Sequence, residues 1–192
     1  MRIFFKIIYI FIVILFLIFI IREKQVAAAE IAGHSARLNF ARVKTEIDPS
    51  SNDFFFKAKA IEEILSEYNS PLAGETEVFI QSCRKYNLDC YLLPAIAGLE
   101  STFGQFIYPQ SYNPFGWGGG YIIFNSWAEA INTVAQGLRK NYLDKGAETI
   151  DEIGVIYSES QTWARRVNWF VNKFEQKEKE IRLRFTANKV EL

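Results

Sequence analysis

The sequence has no excess of charge of either sign: 22 lysines and arginines are matched by 22 aspartates and glutamates. A nucleic-acid binder needs a basic face to neutralise phosphates, so this balance argues against one. Histidine is nearly absent. The single His34 has no partner cluster around it, which leaves no Ser-His-Asp or Cys-His nucleophile set. No convincing metal-ligand spacing occurs either, and no cofactor motif. Cysteine appears twice, at Cys83 and Cys90, with a spacing that fits neither a CxxC redox pair nor a zinc knuckle. No Gly-x-x-x-x-Gly-Lys follows a strand pattern, so the glycines build no phosphate cradle. No internal repeat is present.

Apolar and aromatic residues are plentiful, at 49% and 16% of 192 residues. Ile7 to Ile21 is an unbroken apolar run preceded by Arg2 and Lys6. Counted from Ile3, with Lys6 reaching to the headgroups, it gives a helix of about 28 Å, close to the hydrocarbon thickness of a bilayer. The run is long for the core of a cleaved signal, and we read residues 1–24 as a transmembrane anchor with its N-terminus inside. Ala27-Ala28-Ala29 supplies small residues for cleavage, so a signal peptide is the alternative. Both readings export the rest of the chain: membrane-attached in the first, secreted in the second.

Residues 25–53 read as a stalk, too poor in large side chains to pack alone and ending in the turn-rich Asp48-Pro49-Ser50-Ser51-Asn52-Asp53. From Phe54 the period becomes helical. Ala60, Ile61, Ile64, Leu65 and Tyr68 mark a first helix stopped at Asn69-Ser70-Pro71, and Glu75 to Tyr86 a second. Asp89 is placed to cap a third, from about Cys90 to Thr102. In an oxidising compartment Cys83 and Cys90 fit a disulfide across the corner between these helices; two separately buried thiols are the other reading. Ser126 to Tyr142 opens with a Ser126/Glu129 capping box. A short helix near Thr149 to Tyr157 and a long one from Thr162 to about Arg184 complete the set. The alternating charges from Lys173 to Arg184 suggest a solvated face. The expectation is a mainly α domain over 54–180 with a Gly- and aromatic-rich loop, and a tail over 181–192.

Chemistry points to the third helix. Glu100 lies four residues after Ile96 and seven after Leu93, offsets that put a carboxylate on the core-facing side. A carboxyl held among apolar groups is expected to have a raised pKa and to keep its proton near neutrality. Glycosidic cleavage needs such a donor, because a sugar oxygen leaves poorly unless protonated. Directly after it, Tyr108, Tyr112, Phe115, Trp117 and Tyr121 alternate with Gly116, Gly118, Gly119 and Gly120. Aromatic faces suit the C–H faces of sugar rings, and glycines allow backbone groups close to a ligand.

Leu93-Pro94-Ala95-Ile96-Ala97-Gly98-Leu99-Glu100-Ser101-Thr102-Phe103-Gly104 resembles the helix ending in Glu-Ser of lytic transglycosylases and bacterial N-acetylglucosaminidases. Asn113-Pro114-Phe115-Gly116-Trp117-Gly118 is similar to the Asn-Leu-Phe-Gly segment of the mannosyl-glycoprotein endo-beta-N-acetylglucosaminidase-like domain. Phe124 to Tyr142 and Tyr157 to Val167 resemble its later segments, so the likeness spans about Tyr68 to Lys173. It implies a lysozyme-like helical fold with a groove for peptidoglycan glycan, and Glu100 as general acid and then base at a beta-1,4 bond. Asn113, Phe115, Gly116 and Trp117 would line the groove, with Tyr157 near the reacting sugar. No second carboxylate is marked by its context, so hydrolysis and anhydro-sugar formation both stay open. A non-catalytic glycan-binding or envelope-assembly module on the same fold is the alternative, since fold does not fix activity.

Overall fold

The computed structural model describes residues 49–190, which are mainly helical and contain no strand. The apolar run and the segment up to Asp48 lie outside the described residues. Among the described residues no helix is long and apolar enough to cross a membrane.

Helix α1 spans Pro49–Glu67. The turn-rich segment expected to end a stalk is therefore its first turn, where proline's missing N–H costs nothing. The boundary at residue 54 moves back accordingly. Ala60, Ile61, Ile64 and Leu65 have no exposed surface, and burying each of the three larger side chains contributes about 2 kcal/mol. Ser70 ends this segment by donating to Phe103 O at 2.8 Å and accepting from the Leu72 N–H at 2.9 Å. Helix α2, Thr76–Tyr86, stops at Asn87 in the left-handed conformation. Cys83 and Cys90 are joined in a disulfide, which closes a loop so short that it contributes about 2.5 kcal/mol in the chain-entropy view. Asp89 Oδ1 accepts from the Tyr91 N–H at 2.7 Å and so steers the chain into α3, Leu92–Ser101.

Helix α3 is the centre of the fold. Leu92 through Gly98 are all buried, so this helix has no solvent face until its last turn. A Cβ on Gly98 would come within 2.8 Å of the Phe103 ring and 2.9 Å of Phe170. Helix α4, Trp127–Asn141, is capped by Ser126, which accepts from the Glu129 N–H. The returning Glu129 carboxylate binds the Asn125 backbone N–H and side-chain amide instead of Ser126, at 2.6 and 2.7 Å. Helix α5, Ile150–Tyr157, carries a complete Thr149/Glu152 capping box.

Helix α6, Trp163–Val190, departs most from expectation. Residues 181–190 continue the helix instead of forming a tail, and the charged run is not simply a solvated face. Glu178 is only 8% exposed. It accepts from the Tyr91 hydroxyl at 2.5 Å and pairs with Lys57 and Arg182, while Arg182 also reaches Asp53 at 2.5 Å. Ile181 is buried, and Phe185 packs edge-on against Phe55 and Phe56. Within the run, Lys177, Glu178, Arg182 and Arg184 recur with helical period because they face α1, whose Glu67, Lys57, Asp53 and Glu63 supply the partners.

Burial alone would raise the Glu178 pKa, but the Tyr91 hydroxyl, Arg182 and Lys57 outweigh it and hold the carboxyl below its usual range. A carboxylate with a depressed folded pKa contributes stability that is present above its unfolded value, about 4.3, and lost as pH falls through the folded one. Glu178→Ala is expected to cost about 3 kcal/mol at neutral pH, leaving the buried Tyr91 hydroxyl without its acceptor and Arg182 and Lys57 with Asp53 alone. In urea melts, the stability gap between the native chain and Glu178→Gln should stay constant near neutrality and close only below about pH 4. A gap that does not move with pH would contradict this account.

Candidate functional site

The last turn of α3 delivers Glu100 to the surface and turns sharply. Thr102 and Phe103, neither of them glycine, both sit in the left-handed region, at φ 50° and 58°. A β-branched residue there is strained. Core packing offsets that strain, because Phe103 is fully buried against Tyr68, Phe170 and Phe174. Ser101 fixes the same corner. Its hydroxyl lies 2.8 Å from Pro114 O and 3.0 Å from Ala97 O, and accepts from the Gly104 N–H at 2.8 Å. Through Pro114, the residue after the acid thus binds the aromatic loop to the helix that carries the acid.

The loop braces itself from inside. Asn113 donates to Trp117 O at 2.9 Å and Ile122 O at 3.2 Å, and accepts from the Trp117 N–H at 3.1 Å. The Phe124 N–H donates to Ser111 O at 2.8 Å and closes the base. Gly116, at φ 63°, faces the acid, and a Cβ there would lie 3.2 Å from Glu100 Oε2. Trp117 leans into the notch left by Gly137 of α4, where a Cβ would meet its ring at 2.6 Å.

Four aromatic rings continue the wall. Trp117 lies 5.8 Å from Tyr157 and 6.2 Å from Tyr142, and Tyr157 stacks on Trp163 at 4.8 Å. The Trp163 indole N–H donates to Glu100 Oε1 at 2.7 Å. The Tyr157 hydroxyl donates to Phe115 O at 2.7 Å. Burial first, then the Glu100 charge and then Tyr142, push the Tyr157 pKa well up; burial raises that of Tyr142 as well. Both phenols stay protonated, and that of Tyr157 is the donor to Phe115 O. Gly116, Trp117, Gly118, Gly119, Tyr142 and Tyr157 line a cavity of about 300 Å³.

Of the residues singled out in the sequence, Glu100, Gly116, Trp117 and Tyr157 come together here. Two do not line the groove. Asn113 is buried and spends its amide on the loop's own backbone, and Phe115 has no exposed surface, offering only its carbonyl to Tyr157. Glu100 itself is exposed, not enclosed among apolar groups. The offset from Ile96 and Leu93 misled because α3 is buried on all sides, so its core residues define no single face and only its end emerges. The carboxyl still points at the aromatic loop and forms no salt bridge among the described residues. Trp163, Tyr142 and Ser101 belong to the site and were not expected in it. Gly137 was legible in principle: a glycine inside an amphipathic helix costs about 1 kcal/mol and marks a close approach. Among the described residues no group of three or more His, Cys, Asp or Glu side chains gathers to hold a metal ion.

No family model matches the sequence, and no curated protein matches it significantly.

Gly137→Ala gains helix propensity yet places a methyl on Trp117, so it should lower stability by about 1–3 kcal/mol in thermal melts. Gly74→Ala, with nothing within 4 Å of the added Cβ, should be neutral or stabilising by about 0.5 kcal/mol. Equal effects of the two changes would argue against the Trp117 notch.

Proposed function

We propose that the chain is a membrane-anchored, extracytoplasmic glycosidase of lysozyme-like fold, cleaving beta-1,4 bonds of peptidoglycan glycan strands with Glu100 as its proton donor. One observation carries this reading. A carboxyl with no salt bridge among the described residues stands at the end of a buried helix, held by the Trp163 indole and directed at Gly116 beside an aromatic cavity. The segments that resemble N-acetylglucosaminidases and lytic transglycosylases converge on this same place.

Each residue has its own part in the reaction. Glu100 protonates the departing glycosidic oxygen and then acts as base toward the incoming nucleophile. The Trp163 N–H holds one carboxyl oxygen in place and leaves the other turned to the Gly116 backbone. Trp117, Tyr142 and Tyr157 offer ring faces and edges to the sugar. The free protein leaves Glu100 open to water, whereas proton donation works best under cover; a glycan laid across the groove supplies that cover. Anchoring at the membrane rests on the apolar run near the N-terminus.

The exposure of Glu100 also favours a second reading, a glycan-binding module that does not cleave. Purified cell-wall glycan separates the two. Glu100→Gln is expected to reduce cleavage by at least about 10²-fold, the scale of a lost general acid, with little change in thermal midpoint because the side chain is exposed. Unchanged cleavage by Glu100→Gln refutes the acid assignment. Retention of glycan with no cleavage by the native chain favours the binding module. Product masses distinguish reducing ends from anhydro ends and so fix the reaction class.

A further inference from the structure

Helix α6 runs alongside α3 in the opposite direction: Trp163 meets Glu100, Phe170 meets Gly98, and Phe174 stacks on Tyr91. One turn after Trp163 comes Arg166. It joins Gly98, Leu99, Thr102, Trp169 and Phe170 around a second cavity of about 300 Å³, which shares no lining residue with the first. Leu99 and Thr102 flank Glu100 in the chain, so this cavity opens at the same helix end as the acid.

The charge here is one-sided. From Trp163 to Phe174, α6 carries Arg165, Arg166 and Lys173 and no acidic residue. None of the three forms a salt bridge among the described residues, in contrast to Lys177, Arg182 and Arg184 further along the same helix. Lys173 instead donates to the Tyr68 hydroxyl and stands 5.7 Å from the Trp169 ring centre. Trp169 packs at right angles on Phe170 yet stays 57% exposed, and the indole surface left open suits a flat partner such as a sugar ring. A guanidinium without an ionic partner among the described residues, lining one cavity with an exposed ring at the helix end that carries Glu100, can donate to a carboxylate.

We propose that the cavity of Arg166 and Trp169 is a subsite for a carboxylate carried on the substituents of the glycan, with Trp169 against a sugar face and Arg166 on the anion. The proposal rests on the glycosidase reading above and adds a preference within it, for acid-bearing over neutral amino-sugar polymers. Two sources supply that carboxylate. In bare strands it is the lactyl ether of alternate sugars; where a peptide is attached the lactyl group is an amide, and the carboxylates lie on the peptide.

Calorimetric titration of the full chain in non-ionic detergent, carrying Glu100→Gln to prevent turnover, tests this with three ligands. These are a neutral N-acetylglucosamine oligomer, an alternating oligomer with free lactyl carboxylates, and the same oligomer bearing its peptides. Adding Arg166→Gln is expected to weaken one or both carboxylate ligands by about tenfold, the scale of a lost charge-assisted pair. Binding of the neutral oligomer should stay within about twofold. Which ligand loses affinity identifies the carboxylate's source, and Arg166→Lys should restore part of it. Equal weakening of all three ligands, or of none while the neutral oligomer still binds, overturns the subsite and leaves the glycosidase reading standing. Failure of all three to bind before Arg166 is changed would remove both.

Discussion

The corner that ends α3 is the constraint on which the rest of the site depends. Two consecutive non-glycine residues, Thr102 and Phe103, hold left-handed backbone there, each at a cost of order 1–2 kcal/mol. They persist because Phe103 is locked under Tyr68, Phe170 and Phe174, and because the Ser101 hydroxyl bridges α3, Gly104 and the loop. Relaxing the corner would swing the carboxyl of Glu100 away from Gly116. The fold therefore uses core burial to hold a strained turn, and the turn to aim a surface acid. Strain at such a position is of the kind found at functional sites, where preorganisation has more value than stability.

Helix α6 links that corner to the stability of the whole domain. Its first residue, Trp163, binds Glu100, its middle packs Phe170 and Phe174 against α3, and its later turns carry the Glu178 cluster. The two ends work under different electrostatic regimes. At the far end, Glu178 and Asp53 are balanced by Lys57 and Arg182, so little net charge is left buried. Toward the Glu100 end, neither that carboxyl nor Arg165 nor Arg166 forms a salt bridge among the described residues. Charged groups without an ionic partner keep hydrogen-bonding capacity that a ligand can use.

Helix existence was legible in the sequence because periodicity reports it: α2, α4 and α5 begin and end within a residue or so of where pattern and caps put them. Three things were not legible, each for its own reason. Pro49 reads equally as a stalk's end and as a helix's first residue, and only the docking of α1 decides. The charges of residues 173–184 have the same period whether they face water or α1, since a pattern names a face and not its partner. Within the loop no period separates inside from outside, so Asn113 and Phe115 looked like groove residues when they are the loop's own frame. Trp163 illustrates the general difficulty: its importance comes from contact with Glu100, 63 positions away.

That same loop explains how a glycine-rich segment can present a defined surface. Gly116 and Gly118 through Gly120 all take positive φ, and left to themselves such residues would sample many shapes. Asn113 replaces missing secondary structure by binding both the N–H and the C=O of Trp117, and Ile122 O beyond the glycines. The indole of Trp117 is then held against Gly137, and through Tyr157 it is tied to Phe115 O and to the ring of Trp163. From Trp163 one hydrogen bond reaches the Glu100 carboxyl. Loop, wall and acid thus form a continuous chain of contacts, in which the glycines give close approach and the buried amide supplies the rigidity that glycines lack.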